Sequence, residues 1–459
     1  MSKTLNKELI GFVEFADEHL PFSFKEWKIK IYFDDFSKFS KYAYKADANG
    51  KISVDEPNVL ETKELTGIDA NNNKRVKFIL LDSIVYHSTN VPGPSYIELL
   101  IDYYFFVDVS EKPGEETTIT IWSNELSTFL GVRPHYKANI IDGGLDGNVS
   151  CKSKTLKLIS NVEIKENKIE INPTFRITNS IDNFAFETGL HLKINKSLDI
   201  DDIKLYATKM LECVFFASSR KNINIDEITF RNWTLTGTMI LNIKSYDLER
   251  KVSSHPRDEL AIPWTIIYPV FATLFKNVLG DSIFISHLPE KRIDRYYVDD
   301  SSIAKDSSAF EAEFRYLFGS DVLESDEETK NIEDEIEKEI ADKINSNSGK
   351  RKKIYKNLKK HIHDQSLSNK IEYCLEKYKA PLSSFWQKHL SSYSTTDVAE
   401  TCGGIRNAVN HGRKKDDENM PVADAFFALR ALIYVMQLTR LGLEETLIKQ
   451  AIEHLYRIF

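Results

Sequence analysis

The hydrophobic period changes along the chain, and this change limits the folds that are open to it. Up to about residue 246, apolar residues alternate with polar ones or form short aromatic runs, as in Trp27–Phe33, Val76–Leu81 and Thr118–Trp122. A period of two is typical of strands. From Ser307 onward, apolar residues return every three or four positions, which is the period of a helix. The sequence therefore predicts an α+β protein, with a β-rich N-terminal half, a sandwich or barrel, followed by an all-α helical bundle.

Three regions are predicted from these patterns. Residues 1–150 form a β-rich N-terminal domain whose strands are separated by turn-forming stretches. Residues 151–300 form a second β-rich or mixed region with a helix at 199–219, and the first two regions could form one unit. Within it, an apolar stretch predicts a helix bent or started near Pro269. Residues 301–459 form the helical domain.

Composition excludes several classes of protein. A formal net charge of −8 argues against a protein that coats nucleic acid non-specifically, so a nucleic-acid substrate would need a local basic site. The four cysteines include no CxxC pair and no metal-ligand spacing, which favours a reducing, cytoplasmic location. The N-terminus lacks the apolar core of a signal peptide, and no run approaches the length of a membrane span, so no membrane association is expected.

The stretch Cys402–Arg413 combines a fixed cation, two amides and an imidazole. In a helix, Arg406 and Asn410 lie four residues apart on one face, and Asn407 and His411 form a second such pair beside it. Arginine stays charged and offers a fork of donors that fits a phosphate, whereas histidine titrates near neutrality and can carry a proton in either direction. These groups suit the cleavage of a phosphodiester without a metal.

Spacing alone does not establish this site. The segment Arg250–His255 has the same R-x-x-x-x-H spacing, but Pro256 follows it and disfavours helix at His255. The stretch from 405 to 411 contains no proline and precedes a long apolar helix. The alternative interpretation of Arg406 and His411 is an exposed arginine and histidine at a helix end. The helix before the motif is expected to begin with Thr395 or Thr396 as its cap. The pair Gly403-Gly404 is expected to loosen the chain just ahead of the motif.

Arg406, Asn407 and His411, together with the helical segments before them and the apolar run Ala425–Leu432 after them, resemble a known family. The segment 303–459 looks like the C-terminal HEPN domain of ApeA-like prokaryotic antiviral proteins. That resemblance implies a metal-independent ribonuclease that works as a dimer. It also implies an acidic residue in an earlier helix; Ala309-Phe310-Glu311 is similar to that segment, and Glu313 is the alternative.

The expected reaction is attack of a ribose 2′-hydroxyl on the adjacent phosphate. His411 would move a proton, Arg406 would stabilise the charge of the transition state, and Asn407 and Asn410 would orient the histidine or the phosphate. One histidine cannot readily serve both ends of the same phosphate, so a twofold dimer is expected to supply a second. The partners expected are therefore RNA, possible tRNA targets included, and a second copy of the chain or a higher homo-oligomer. The resemblance to abortive-infection proteins further implies a phage-derived trigger that is sensed by the N-terminal half. No carboxylate cluster suited to magnesium accompanies the motif, so neither a metal nor another cofactor is expected.

Other charged residues of the C-terminal region are open to two interpretations. Glu311 and Arg315 lie four residues apart on a helix capped by Asp306 or Ser307. They could form an ordinary surface ion pair, or they could support the active site. Further along, an acidic segment precedes a basic one that includes Lys352, Lys353, His361 and His363. Either these are two solvated helices joined by a hinge, or the basic one holds an RNA backbone. Beside the imidazole, the added cations are Arg413, Lys414 and Lys415.

Two rival functions follow from the same residues. In one, the helical domain is a catalytically silent dimerisation scaffold, and the protein acts as a binding module through its β-rich half. In the other, the nuclease is a constitutive toxin that needs an antitoxin. Substitution of His411 separates a binding module from a nuclease.

Overall fold

The computed structural model describes residues 8–457 with internal gaps. The segments it leaves out are 47–51, 83, 89–94, 110–114, 124, 133–134, 142–143, 151–153, 181–182, 224, 233–234, 243–260, 291–293, 295–296, 320–326, 362–365 and 411–419.

The strands occupy the N-terminal half. They are β1 Leu9–Phe15, β2 Glu18–Lys25, β3 Lys28–Phe33, β4 Tyr44–Ala46, β5 Ile52–Pro57, β6 Glu64–Asp69, β7 Lys74–Leu80, β8 Tyr86–Ser88, β9 Ser95–Val109, β10 Thr117–Trp122, β11 His135–Ile141, β12 Gly144–Ser150, β13 Ser160–Ile164, β14 Asn167–Ser180, β15 Asn183–Ile194, β16 Glu227–Arg231 and β17 Leu235–Leu241.

Six of these strands close into a barrel. Their order is β9-β3-β2-β1-β6-β7, and the barrel closes because β7 also pairs with β9. Strands β1, β3 and β6 alternate between buried and more exposed residues, so the side chains of one face fill the interior. Phe78 packs there against Phe22, Phe24 and Tyr104.

The long strand β9 belongs to two parts of the sheet. Its N-terminal half pairs with β3, and its C-terminal half pairs with β7 and β17. From β17 the sheet continues as β16, β10, β15, β14 and β13. The two β-rich regions predicted from the sequence thus share one continuous sheet.

Most of the helices lie in the C-terminal half, and the first three lie in the N-terminal half. The helices are α1 Phe36–Ala43, α2 Leu126–Leu130, α3 Ile200–Ser218, α4 Trp264–Leu279, α5 Asp300–Phe318, α6 Glu327–Ser346, α7 Gly349–His361, α8 Leu367–Lys377, α9 Lys379–His389, α10 Thr395–Asn410, α11 Val422–Arg440 and α12 Glu445–Tyr456. Helix α11 is buried along most of its length and packs against α5, α10 and α12, while α10 also packs against α8 and α5. The predicted mixture of a β-rich half and a helical half is confirmed.

The helix predicted in the apolar stretch around Pro269 is α4, Trp264–Leu279. It includes Pro269 in its interior, so the alternative that it starts near that proline is excluded. Two other local predictions are wrong. Helix α5 begins before the predicted caps: Asp299 caps it, with its side chain accepting a hydrogen bond from the Ser302 backbone N–H. Helix α10 begins with a reciprocal pair of hydrogen bonds between Ser394 and Asp397 rather than with a threonine cap.

Helix α11 also corrects the expectation that no run approaches the length of a membrane span. Its 19 residues are long and apolar enough to cross a membrane by length and composition, with a mean hydropathy of 1.4, and 67% of that window is buried inside the protein. The core helix of a soluble bundle has the same properties.

The chain divides into two compact units. The first consists of Met1–Val214, Asn222–Glu259 and Pro263–Lys276, and it contains the barrel and the rest of the large sheet. The second consists of Phe215–Lys221, Leu260–Ile262 and Asn277–Phe459, and it contains helices α5 to α12.

Candidate active site

The motif lies at the C-terminal end of α10. Arg406, Asn407 and Asn410 all belong to the last turns of this helix, and Asn410 is its final residue. His411 follows at once in the chain, but it lies outside the described residues, as do Arg413, Lys414 and Lys415. The helical placement of the first three residues matches the arrangement inferred from their spacing.

Close packing fixes α10 against its neighbours. Val398, Cys402 and Ile405 on α10 are buried. A Cβ atom added to Gly403 would lie 2.1 Å from Ser368 Oγ and 3.3 Å from the Ser368 backbone nitrogen on α8. Glycine is therefore needed for close approach of the two helices. The prediction that Gly403-Gly404 loosens the chain is wrong, because both glycines are helical and the first is buried.

The structure brings Glu311 of α5 next to Arg406. Arg406 Nη2 lies 3.5 Å from Glu311 Oε1, and Arg406 Nη1 lies 3.4 Å from Asn407 Oδ1. The two charged side chains keep 32% and 36% of their surface exposed. These contacts are long and solvent-accessible, so the guanidinium is oriented by weak interactions and remains open to an anionic ligand.

Glu313, the alternative acidic residue, points elsewhere. Both of its carboxylate oxygens accept hydrogen bonds from Arg440, at 2.7 Å from Nε and 2.8 Å from Nη2. Arg440 also donates to the Ser282 carbonyl at 3.0 Å and lies over the ring of Tyr316. Burial raises the pKa of Glu313, against the opposing effect of Arg440. Glu313 thus belongs to a buried structural ion pair, and Glu311 is the acidic residue near the motif.

A second buried ion pair joins α5 and α11. Arg430 Nε lies 2.7 Å from Asp306 Oδ2, and Asp306 is almost fully buried. Burial raises the pKa of Asp306 to about 6, although the charge of Arg430 opposes this. Asp306 Oδ1 is buried with no hydrogen-bond partner, which adds to the cost of ionising the carboxyl group. Sequence reasoning assigned Asp306 to a helix cap and so missed this pair; its partner lies far along the chain.

The basic residues Lys352 and Lys353 lie on α7, which packs against α6. Lys359 of the same helix forms an ion pair with Glu337 of α6 at 3.0 Å. Within the described part of the chain, the ionic and hydrogen-bond partners of Arg406 are Glu311 and Asn407. Among the described residues, α7 packs mainly against α6 and not against α10, so Lys352 and Lys353 are not packed beside Arg406. His363 and the segment Arg250–His255 lie outside the described residues.

Among the residues that the structure describes, no group of three or more His, Cys, Asp or Glu side chains is arranged to hold a metal ion.

No family model, no curated protein and no solved structure matches the chain. The class that the fold defines is accordingly a general one, an α+β protein with a six-stranded barrel in its N-terminal half and a helical C-terminal half.

Proposed function

We propose that the protein is an antiviral endoribonuclease of the HEPN type, which cleaves RNA without a metal and acts through a homodimer. The observation that carries this proposal is the state of Arg406. Its guanidinium is about one-third exposed, contacts Glu311 only at 3.5 Å, and lies on the helix that ends directly before His411. A cation held in this way can be offered to a phosphate at little energetic cost.

The bond changes of the proposed reaction balance without any further reactant. The ribose 2′-oxygen forms a bond to phosphorus while the bond from phosphorus to the 5′-oxygen breaks. One His411 imidazole accepts the proton of the 2′-hydroxyl, and a second, protonated His411 from the other chain of the dimer donates a proton to the departing 5′-oxygen. The products are a 2′,3′-cyclic phosphate and a free 5′-hydroxyl.

Arg406 stabilises the negative charge that builds on the phosphate oxygens in the transition state. Glu311 acts as a positioning residue, because its carboxylate holds the guanidinium near the end of α10 until a phosphate engages it. Asn407 lies within contact of the same guanidinium, and Asn410, exposed at the helix end, is placed to orient the phosphate or the imidazole.

The test is RNA cleavage by the purified full chain in EDTA. We expect Arg406→Ala to lower the rate by about 10²- to 10³-fold, as for other lost transition-state donors. We expect His411→Ala to lower it by about 10²- to 10⁴-fold. Arg315→Ala is the matched control, because Arg315 is an exposed arginine of α5, one turn from Glu311. It should retain wild-type activity.

Two outcomes count against the proposal. Cleavage of DNA of the same sequence at a comparable rate contradicts attack by a 2′-hydroxyl. Loss of activity in EDTA with recovery in magnesium contradicts the metal-free mechanism. RNA integrity in cells with and without phage then distinguishes a triggered enzyme from a constitutive toxin, since only the former leaves RNA intact in unchallenged cells.

A second candidate function is favoured by the outer surface of the barrel. Phe12 of β1 pairs in register with Ile68 of β6 and Pro21 of β2, and all three are exposed, as is the neighbouring Ile10. Apolar side chains grouped on a solvent-facing sheet are typical of a binding surface. If the protein is a binding module with a catalytically silent bundle, Phe12→Glu should abolish its cellular effect and His411→Ala should leave that effect intact. The ribonuclease proposal expects His411→Ala to abolish it.

A further inference from the structure

Helices α6 and α7 form an antiparallel hairpin within the second unit. Helix α6 ends at Ser346 and α7 begins at Gly349, whose φ of +60° suits the sharp turn between them. The ion pair between Lys359 and Glu337 shows which sides of the two helices face each other. Ile340, Ile344 and Tyr355 are half-buried on these facing sides.

Four aliphatic side chains of the hairpin are exposed. The exposed fractions are 51% for Ile332, 43% for Ile336, 58% for Ile354 and 49% for Leu358. In a soluble protein, isolated exposed aliphatic residues are ordinary, but four on one hairpin call for a physical account.

These four residues lie on one side of the hairpin. Ile336 immediately precedes Glu337, and Leu358 immediately precedes Lys359, so each is turned by about 100° from the line that joins the helices. Because the helices run in opposite directions, a rotation of about 100° back along each helix points to the same side of the hairpin. Ile332 and Ile354 lie four residues before Ile336 and Leu358 and so continue the same surface. We name Ile332, Ile336, Ile354 and Leu358 the hairpin face.

The two helices that carry the hairpin face have opposite charges. Helix α6 contains eight acidic and three basic residues. Helix α7 contains seven basic residues and no acidic one. A partner for this surface therefore needs an apolar strip with a basic side to meet α6 and an acidic side to meet α7. A second copy of the same hairpin meets all three requirements.

We infer that the hairpin face is a self-association surface, on which two copies of the chain pair to form a four-helix bundle. A twofold axis parallel to the helices sets α6 of one chain over α7 of its partner, so that unlike charges meet and the eight aliphatic side chains become buried. The other face-to-face arrangement sets α6 over α6, and like charges then oppose it. The charge pattern thus selects one geometry for the dimer.

This association is independent of the ribonuclease proposal. It rests on the exposure and charge of α6 and α7, and none of the residues concerned contacts Arg406 among the described residues. Its tests measure molecular mass and not activity, so the two proposals can fail separately.

The first test is sedimentation velocity of the full chain over a range of concentrations. We expect the wild type to form a dimer or larger oligomer, and the double variant Ile336→Glu/Leu358→Glu to lose one association step at concentrations where the wild type retains it. Leu205→Glu on α3 is the matched control, because Leu205 is an equally exposed leucine outside the hairpin. It should keep the wild-type mass. Circular dichroism establishes that the helices persist.

The second test exchanges the charges. One chain carries Glu339→Lys and Asp342→Lys on α6, and another carries Lys353→Glu and Lys356→Glu on α7. The register set by Glu337 and Lys359 places these positions at the same level, and all four are exposed. Each variant alone should associate more weakly than the wild type, and an equimolar mixture should recover association as a heterodimer.

A wild type that is monomeric at every concentration overturns the inference. So does an oligomer whose mass is the same in the wild type and in the Ile336→Glu/Leu358→Glu variant, since its contacts must then lie elsewhere. A charge-exchange mixture that fails to form heterodimers, while the aliphatic variant does dissociate, overturns the arrangement of α6 over α7.

Discussion

Two carboxylates on the same helix have different environments. Glu311 and Glu313 are two residues apart on α5, so they point to opposite sides of it, and each faces an arginine from a later helix. The Glu311–Arg406 pair is about one-third exposed and separated by 3.5 Å. In the Glu313–Arg440 pair the exposed fractions are 0% and 14%, and two hydrogen bonds of 2.7 and 2.8 Å join the side chains.

Burial and the number of hydrogen bonds distinguish a structural arginine from one that is available for binding. A bidentate pair in the interior cannot release its arginine without leaving a buried, unpaired charge. An exposed pair held by one long contact exchanges readily with water or with an anion. By this criterion Arg440 stabilises the bundle, and Arg406 is available to an anionic ligand at the end of α10, as the proposed function requires.

The largest expected effect comes from breaking the buried pair. Arg440→Met leaves Glu313 buried without its partner and should lower the free energy of unfolding by about 3–5 kcal/mol. Arg406→Met is the matched substitution in the exposed pair and should lower it by less than about 1 kcal/mol. Urea unfolding of the two variants, followed by circular dichroism, measures both values.

Combining Arg440→Met with Glu313→Gln controls for the unpaired charge and should recover part of the lost stability. Equal destabilisation by Arg440→Met and Arg406→Met would contradict the distinction between the two pairs.

Local patterns in the sequence predicted much of the secondary structure. The run 27–33 becomes β3, and the helix predicted at 199–219 is α3, Ile200–Ser218. Closure of the barrel could not be predicted in this way, because it depends on β9 pairing with both β3 and β7. Those pairings join residues far apart in the chain, and no local period encodes them.

The candidate site was predictable to the same extent. Spacing placed Arg406, Asn407 and Asn410 on a helix, which the structure confirms. The choice between Glu311 and Glu313 needed the positions of Arg406 and Arg440, which lie 95 and 127 residues further along. Asp306 was assigned to a cap for the same reason: its partner Arg430 is 124 residues away, so only the folded bundle reveals that it is buried.

An intermediate effect is expected where α10 contacts α8 beneath Arg406. Gly403→Val brings new methyl groups against Ser368, where even a Cβ would lie 2.1 Å from Oγ and 3.3 Å from the backbone nitrogen. Valine and glycine differ by less than about 0.5 kcal/mol in helix propensity, so the steric effect should dominate. We expect a loss of about 1–3 kcal/mol in the free energy of unfolding, measured in urea.

The double variant Gly403→Val/Ser368→Gly removes the opposing side chain and should restore part of this loss. No recovery would indicate that the contact between Gly403 and Ser368 does not determine the packing of α10.

The smallest effect concerns the pH dependence of the other buried pair. Because burial raises the pKa of Asp306 to about 6, above its value in the unfolded chain, the native state binds a proton that the unfolded state has released. The stabilisation that the Asp306 carboxyl group contributes is therefore fully present below its pKa in the unfolded chain, and it is lost as the pH rises through about 6. Between about pH 5 and about pH 7.5, the free energy of unfolding of the wild type should fall by about 1 kcal/mol relative to that of Asp306→Asn, whose amide does not titrate.

Urea unfolding of both proteins at the two pH values measures this difference, and effects of other groups cancel in the comparison. The opposite sign, with the wild type gaining stability as the pH rises, would mean that the charge of Arg430 outweighs burial, and that this pair resembles an ordinary salt bridge.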